Sequence, residues 1–143
     1  MVKLILVDPK AELCDCFREH FHNLPNVEII QGYFEELPEF DCMVSAANSF
    51  GLMDGGVDLS IIKFFGSALM KKVQAQILQD YLGEQPVGTS IIVETGHIKH
   101  PFIAHTPTMR VPMPALLKSN DFPTKESAFE IAIPLPNQQR SFF

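Results

Sequence analysis

The chain predicts an α/β layered fold with a mostly parallel sheet. Short apolar runs alternate with segments of helical apolar spacing through roughly the first 90 residues. The central run Cys42-Met43-Val44 is apolar enough for a strand covered on both faces. A Gly-rich turn, Gly55-Gly56, then separates that run from a new helical pattern.

Lys3 to Val7 reads as the first strand. Asp8 is placed to cap the helix that follows, with Pro9 in its first turn. Leu13, Phe17 and Phe21 recur at spacing four and predict its buried stripe. Val27 to Ile30 is the second strand and Asp41 to Ala47 the third. After the glycines, Leu59 and Ile62, with Phe65 or Ile61, make a helical face that closes at Gly66. A longer helix carries Leu69, Val73, Ile77 and Tyr81 on one side, with Gly83 as its left-handed cap. Ser90 to Val93 is a fourth strand, and a tight turn through Gly96 leads to a fifth, Pro101 to His105. Pro107 to Pro123 carries four prolines and reads mostly as loop. Thr124 to Phe129 predicts a short helix, and Ile131 to Leu135 a short sixth strand.

The length of 143 residues suits one domain, taken here as 1–143. No apolar run reaches the roughly 20 residues that span a bilayer, so no membrane association is expected. The opening residues turn acidic too soon for a signal peptide. Seventeen acidic against 11 basic side chains give a net charge of −6, which argues against bulk nucleic-acid binding. Three cysteines form no disulfide framework; Cys14 and Cys16 diverge on a helix and Cys42 sits in an apolar strand. A reducing, cytoplasmic compartment fits them. His97, His100 and His105 match no common zinc spacing, so no metal is expected. A dinucleotide-binding Rossmann unit lacks its glycines, because Asp8-Pro9-Lys10 follows the first strand.

The chemistry concentrates at Ser45-Ala46-Ala47-Asn48-Ser49 and Gly55-Gly56-Val57-Asp58. Asn48 leaves the sheet where the strand emerges, and the glycines open a helix whose first amides can face an anion. Glycine lets the backbone approach a phosphate that a side chain would hold away.

Asp41 to Gly66 resembles the central motif of the macro domain, the ADP-ribose-binding α/β module. Gly88 to Gly96, Ile103 to Pro107 and Ile131 to Leu135 resemble later pieces of it, so the likeness covers about two thirds of the chain. The resemblance implies a three-layer α/β/α fold with a mostly parallel mixed sheet, shortened at the C-terminus. It also implies ADP-ribose or an ADP-ribosylated macromolecule as partner, and no cofactor. By that likeness Asn48 holds the distal ribose, Gly55, Gly56 and Val57 present backbone to the diphosphate, and Ala47 and Ser49 flank the ligand. Asp58 sits near the distal ribose and, in hydrolytic relatives, orients or activates a water. Asn48 and Asp58 are thus the catalytic candidates.

Four departures mark this chain. Ser45 replaces the motif's first Asn as a structural position. Met53-Asp54 interrupts the glycine run and brings a carboxylate towards the diphosphate, repelling it unless the side chain turns outward. Gly32-Tyr33 stands where many members have Gly-Asp, which leaves Tyr33 or Phe34 to stack on adenine. The tail, 114–143, lacks the family's second glycine loop and terminal helix; either this branch is minimal, or the chain is truncated or frameshifted. Three functions stay open on the sequence: an ADP-ribosyl hydrolase, a reader without turnover, or a structural module that has lost its site. The third implies homo-oligomers formed through the incomplete edge.

Overall fold

The computed structural model describes residues 2–111. The order is β1 (Leu4–Asp8), α1 (Ala11–Phe21), β2 (Val27–Gln31), a 3-10 turn (Phe34–Glu36), β3 (Cys42–Asn48), α2 (Gly56–Phe65), α3 (Ala68–Tyr81), β4 (Ile91–His97) and β5 (His100–Met109). The expected short helix at Thr124 to Phe129 and strand at Ile131 to Leu135 lie outside the described residues. The fold is α/β, with helices and a mixed sheet. Among the described residues no helix is long and apolar enough to cross a membrane.

The chain divides into two compact units, Met1–Glu39 and a second beginning at Phe40. In the first, β1 and β2 pair in parallel, Leu4 opposite Val27 through Asp8 opposite Gln31. Asp8 does not cap α1. Its Oδ1 accepts from the Lys10 backbone N–H at 2.8 Å, closing a turn before the helix begins. Nor does Leu13 face the packing: it is 38% exposed, while Cys14 is fully buried. Spacing of three from Cys14 to Phe17, then four to Phe21, carries the inner stripe. The Cys14 thiol donates to the carbonyls of Asp8, at 3.3 Å, and Ile30, at 3.7 Å, and so ties the helix to both strands.

The second unit holds a three-stranded sheet in the order β3-β5-β4. β3 runs parallel to β5, with Ser45 opposite His105; β4 runs antiparallel to β5. Ser45, Ala47, Ile103, His105, Ile91 and Val93 are buried on one face of it. Cys42 and Val44 point the other way, and Val44 is 64% exposed. The expectation that β3 is covered on both faces, with Cys42 in the core, therefore fails. Its apolar run alternates between a packed and an open side.

Other details shift as well. In α2 it is Ile61 that is buried, whereas Leu59 is exposed. Leu69, Val73 and Ile77 are buried along α3 as expected. Its left-handed cap is Leu82, at φ 56°, one residue before Gly83. Gly96 sits at an irregularity between Glu94 and His97, not in the turn; His97 pairs with His100 across Ile98 and Lys99. β5 runs on to Met109, so the segment expected to be loop from Pro107 begins as strand. Pro107 lacks an N–H to give the ladder, but its carbonyl accepts from Gly88 at 3.1 Å.

Candidate ligand-binding turn

The sheet edge that delivers Asn48 is fixed from several sides. The Ser49 N–H donates to the carbonyls of Met109, at 3.1 Å, and Arg110, at 3.2 Å. The Ser49 carbonyl accepts from the Gln85 N–H at 2.9 Å. Gly51 takes a left-handed φ of 64°, and a Cβ there would meet Val73 and Ile77 at 3.1 Å. Only glycine lets this loop settle on α3.

Asn48 itself organises the loop. Its Oδ1 accepts from the backbone N–H of Phe50 and of Leu52, both at 3.1 Å. Its Nδ2 donates to the Leu52 carbonyl at 2.7 Å. That leaves one amide N–H of Asn48 uncommitted. Ala47 and Ser49, expected beside a ligand, are buried with it.

Seven residues beyond Asn48 the chain reaches the turn. Gly55 is extended, Gly56 has a φ of 56°, and α2 starts with no side-chain cap. Among the described residues the N–H groups of Gly55, Gly56 and Val57 make no hydrogen bond. The space where a Cβ of Gly55 or Gly56 would stand is open to 4 Å. Three free amides thus border an unobstructed approach at a helix N-terminus. Met53 is buried and Asp54 exposed.

Asp58 lies in the first turn of the helix and is 5% exposed. Its Oδ1 accepts the Ser45 hydroxyl at 2.5 Å. Burial pushes the Asp58 carboxyl above its ordinary range, the Ser45 hydrogen bond pulls it back, and the Asp54 charge adds to the rise. Asp58 makes no other hydrogen bond or ion pair among the described residues, so its second oxygen is free to meet a ligand or water.

Ser45 is the partner that sequence reasoning left as merely structural. Its neighbour in the β3–β5 register is His105. His105 is fully buried, and Gln85 fixes its proton. Gln85 Nε2 donates to the His105 carbonyl, at 3.2 Å, and to Thr89 Oγ1, at 3.1 Å. Its Oε1 therefore accepts from His105 Nδ1 at 2.8 Å, which leaves Nε2 bare and without a partner. Burial lowers the His105 pKa to about 4. His97 and His100 pair elsewhere, with Nδ1 atoms 3.1 Å apart. Among the described residues no three His, Cys, Asp or Glu side chains are grouped to hold a metal.

Tyr33 and Phe34, the adenine-side candidates, belong to the first unit. Tyr33 is 58% exposed and Phe34 is buried, so Tyr33 is the ring with an open face.

An α/β domain with three unpaired amides at a helix start, followed in sequence by a buried carboxylate, is the class of protein seen here. The family described as Macro domain matches residues 44–120, more than half of the chain, and the chain belongs to that family. It is 34% identical over 80 residues to a macro domain-containing protein of Cupriavidus necator, a stretch that is 56% of this chain and 44% of that one. It is 37% identical over 79 residues to a macro domain-containing protein of Listeria monocytogenes, 55% of this chain and 43% of that one. An uncharacterized protein of Aquifex aeolicus matches at 30% over 87 residues, 61% of this chain and 48% of that one. The chain spans about half the length of the curated relatives it matches.

Proposed function

We propose that the Gly55–Asp58 turn binds ADP-ribose or a related ADP-ribosyl derivative. Macro domains generally bind such ligands, and the chain carries the family's strand, turn and helix in order. The observation that carries the reading is the row of unpaired N–H groups at Gly55, Gly56 and Val57 beside open space. A diphosphate satisfies those amides, and the positive end of the α2 dipole favours it. The remaining N–H of Asn48 is the donor for a ribose hydroxyl.

Calorimetry with ADP-ribose tests this directly, paired with Gly55→Ala. Gly55 has an extended φ of −152° and nothing within 4 Å of an added Cβ, so the variant folds without a clash. Its methyl stands where the ligand approaches. Heat from the native chain, and at least tenfold weaker binding by an equally stable variant, is the expected result. No heat at millimolar ligand from folded protein removes the reading.

A second reading, release of ADP-ribose from modified targets, is favoured by the state of Asp58. A carboxylate with a raised pKa is a stronger base, and its uncommitted oxygen can hold a water. It can equally stabilise positive charge developing on the ribose. Turnover of an ADP-ribosylated protein, abolished in Asp58→Asn while binding persists, supports hydrolysis; binding with no turnover leaves a reader.

A further inference from the structure

We propose that Asp54 sets the charge preference of this turn, holding down affinity for a ligand as the ligand's negative charge increases. The inference rests on the binding reading above and deepens it. From Asn48 to Ser60 the only charged residues are Asp54 and Asp58, and both are acidic. Neither forms an ion pair among the described residues. Asp54 is exposed and immediately precedes Gly55, the residue that caps α2. The groups that would receive the anion are neutral amides. An arriving diphosphate thus meets hydrogen-bond donors and a dipole, with a formal negative charge beside them and no side-chain cation within this stretch of chain.

Two charges interacting across the turn through water weaken each other's approach by a modest factor, and salt screens that repulsion. An anion site built on lysine or arginine loses affinity when salt is added. This site gains it. The ligand class that follows is a phosphate ester of low net charge, or a diphosphate whose charge is partly screened. More highly charged nucleotides are selected against.

The test is ADP-ribose titrated calorimetrically into the native chain and Asp54→Asn, at about 20 mM and about 200 mM sodium chloride, either side of the change in screening length. The native chain binds about two- to fourfold tighter at the higher salt. Asp54→Asn binds about three- to tenfold tighter than native at the lower salt, with a flatter salt response. Asp54→Ser gives the same result, and thermal melting of each variant confirms a folded chain. Affinity that falls with salt in the native chain, or that is equal in native and variants, overturns the inference and leaves the binding reading standing. Absence of binding by every form overturns both.

Discussion

Ser45 and Asp58 meet across the joint between β3 and α2, the hydroxyl donating to Oδ1 at 2.5 Å. Both side chains are buried, and the contact couples the middle of the strand to the first turn of the helix. It is the hydrogen bond that restrains a carboxylate otherwise pushed towards its neutral form.

Removing that donor has a predictable sign. In Ser45→Ala the carboxylate keeps its burial and loses the bond that lowers its pKa. The variant loses about 1–3 kcal/mol of stability, the usual cost of leaving a buried polar group unpaired. Any pH dependence of ligand binding that tracks Asp58 moves to higher pH. Denaturant melts and a pH series of affinities check the two halves separately.

Asp58→Asn moves stability the other way. The unfolded carboxyl titrates near 3.8 and the folded one higher. The stability linked to that shift is fully present below the unfolded value and is lost as pH rises through the folded one. At neutral pH the native state therefore carries an ionised, partly desolvated group at a net cost. Asparagine keeps an acceptor for Ser45 and drops the charge. The variant melts higher than native at pH 7, and the gap closes near the unfolded pKa. A lower melting temperature at pH 7 contradicts the burial argument.

His105 gives the opposite pH dependence. Its folded pKa is about 4 against 6.5 for the free group, because burial disfavours the cation. Stability is intact above 6.5, declines as pH falls from there, and levels off below about 4. A shift of that size corresponds to about 3 kcal/mol. Denaturant midpoints measured from pH 7.5 down to pH 4 follow that curve. Gln85→Ala strips the acceptor from Nδ1 and the donor from the His105 carbonyl. It costs about 2–4 kcal/mol as two buried groups go unpaired.

What the sequence revealed about this site follows from local chemistry. Gly55-Gly56 was legible because paired glycines between an apolar strand and a helical pattern mark a turn where the backbone can approach an anion. Asn48 and Asp58 were legible as residue types at family spacing. The contacts that hold them were not. Ser45 sits 13 residues before Asp58, and nothing local says that a small polar residue in an apolar strand is aimed at a helix. The same blindness affected α1, where spacing of four favoured Leu13 over Cys14. A thiol binding two strand carbonyls shows only in three dimensions. Pro107 read as a breaker because its missing N–H is local information. The strand tolerates it because the partner at that position needs only its carbonyl.

Asn48 offers the sharpest separation of loop architecture from ligand contact. Asn48→Asp keeps the two acceptor bonds from the Phe50 and Leu52 N–H groups and loses the donor to the Leu52 carbonyl. Its new oxygen lies against that carbonyl, so the loop is destabilised by about 1–3 kcal/mol. Asn48→Ala loses all three bonds and falls further. The uncommitted N–H of Asn48 disappears in both. If it serves a ribose hydroxyl, both variants lose ADP-ribose affinity, the aspartate form at least as much as the alanine form because its new charge also repels the ligand, although the aspartate form melts higher. If Asn48 acts only by shaping the loop, affinity follows stability, and the aspartate form binds better than the alanine form. Calorimetry and thermal melting on the same two proteins separate these outcomes.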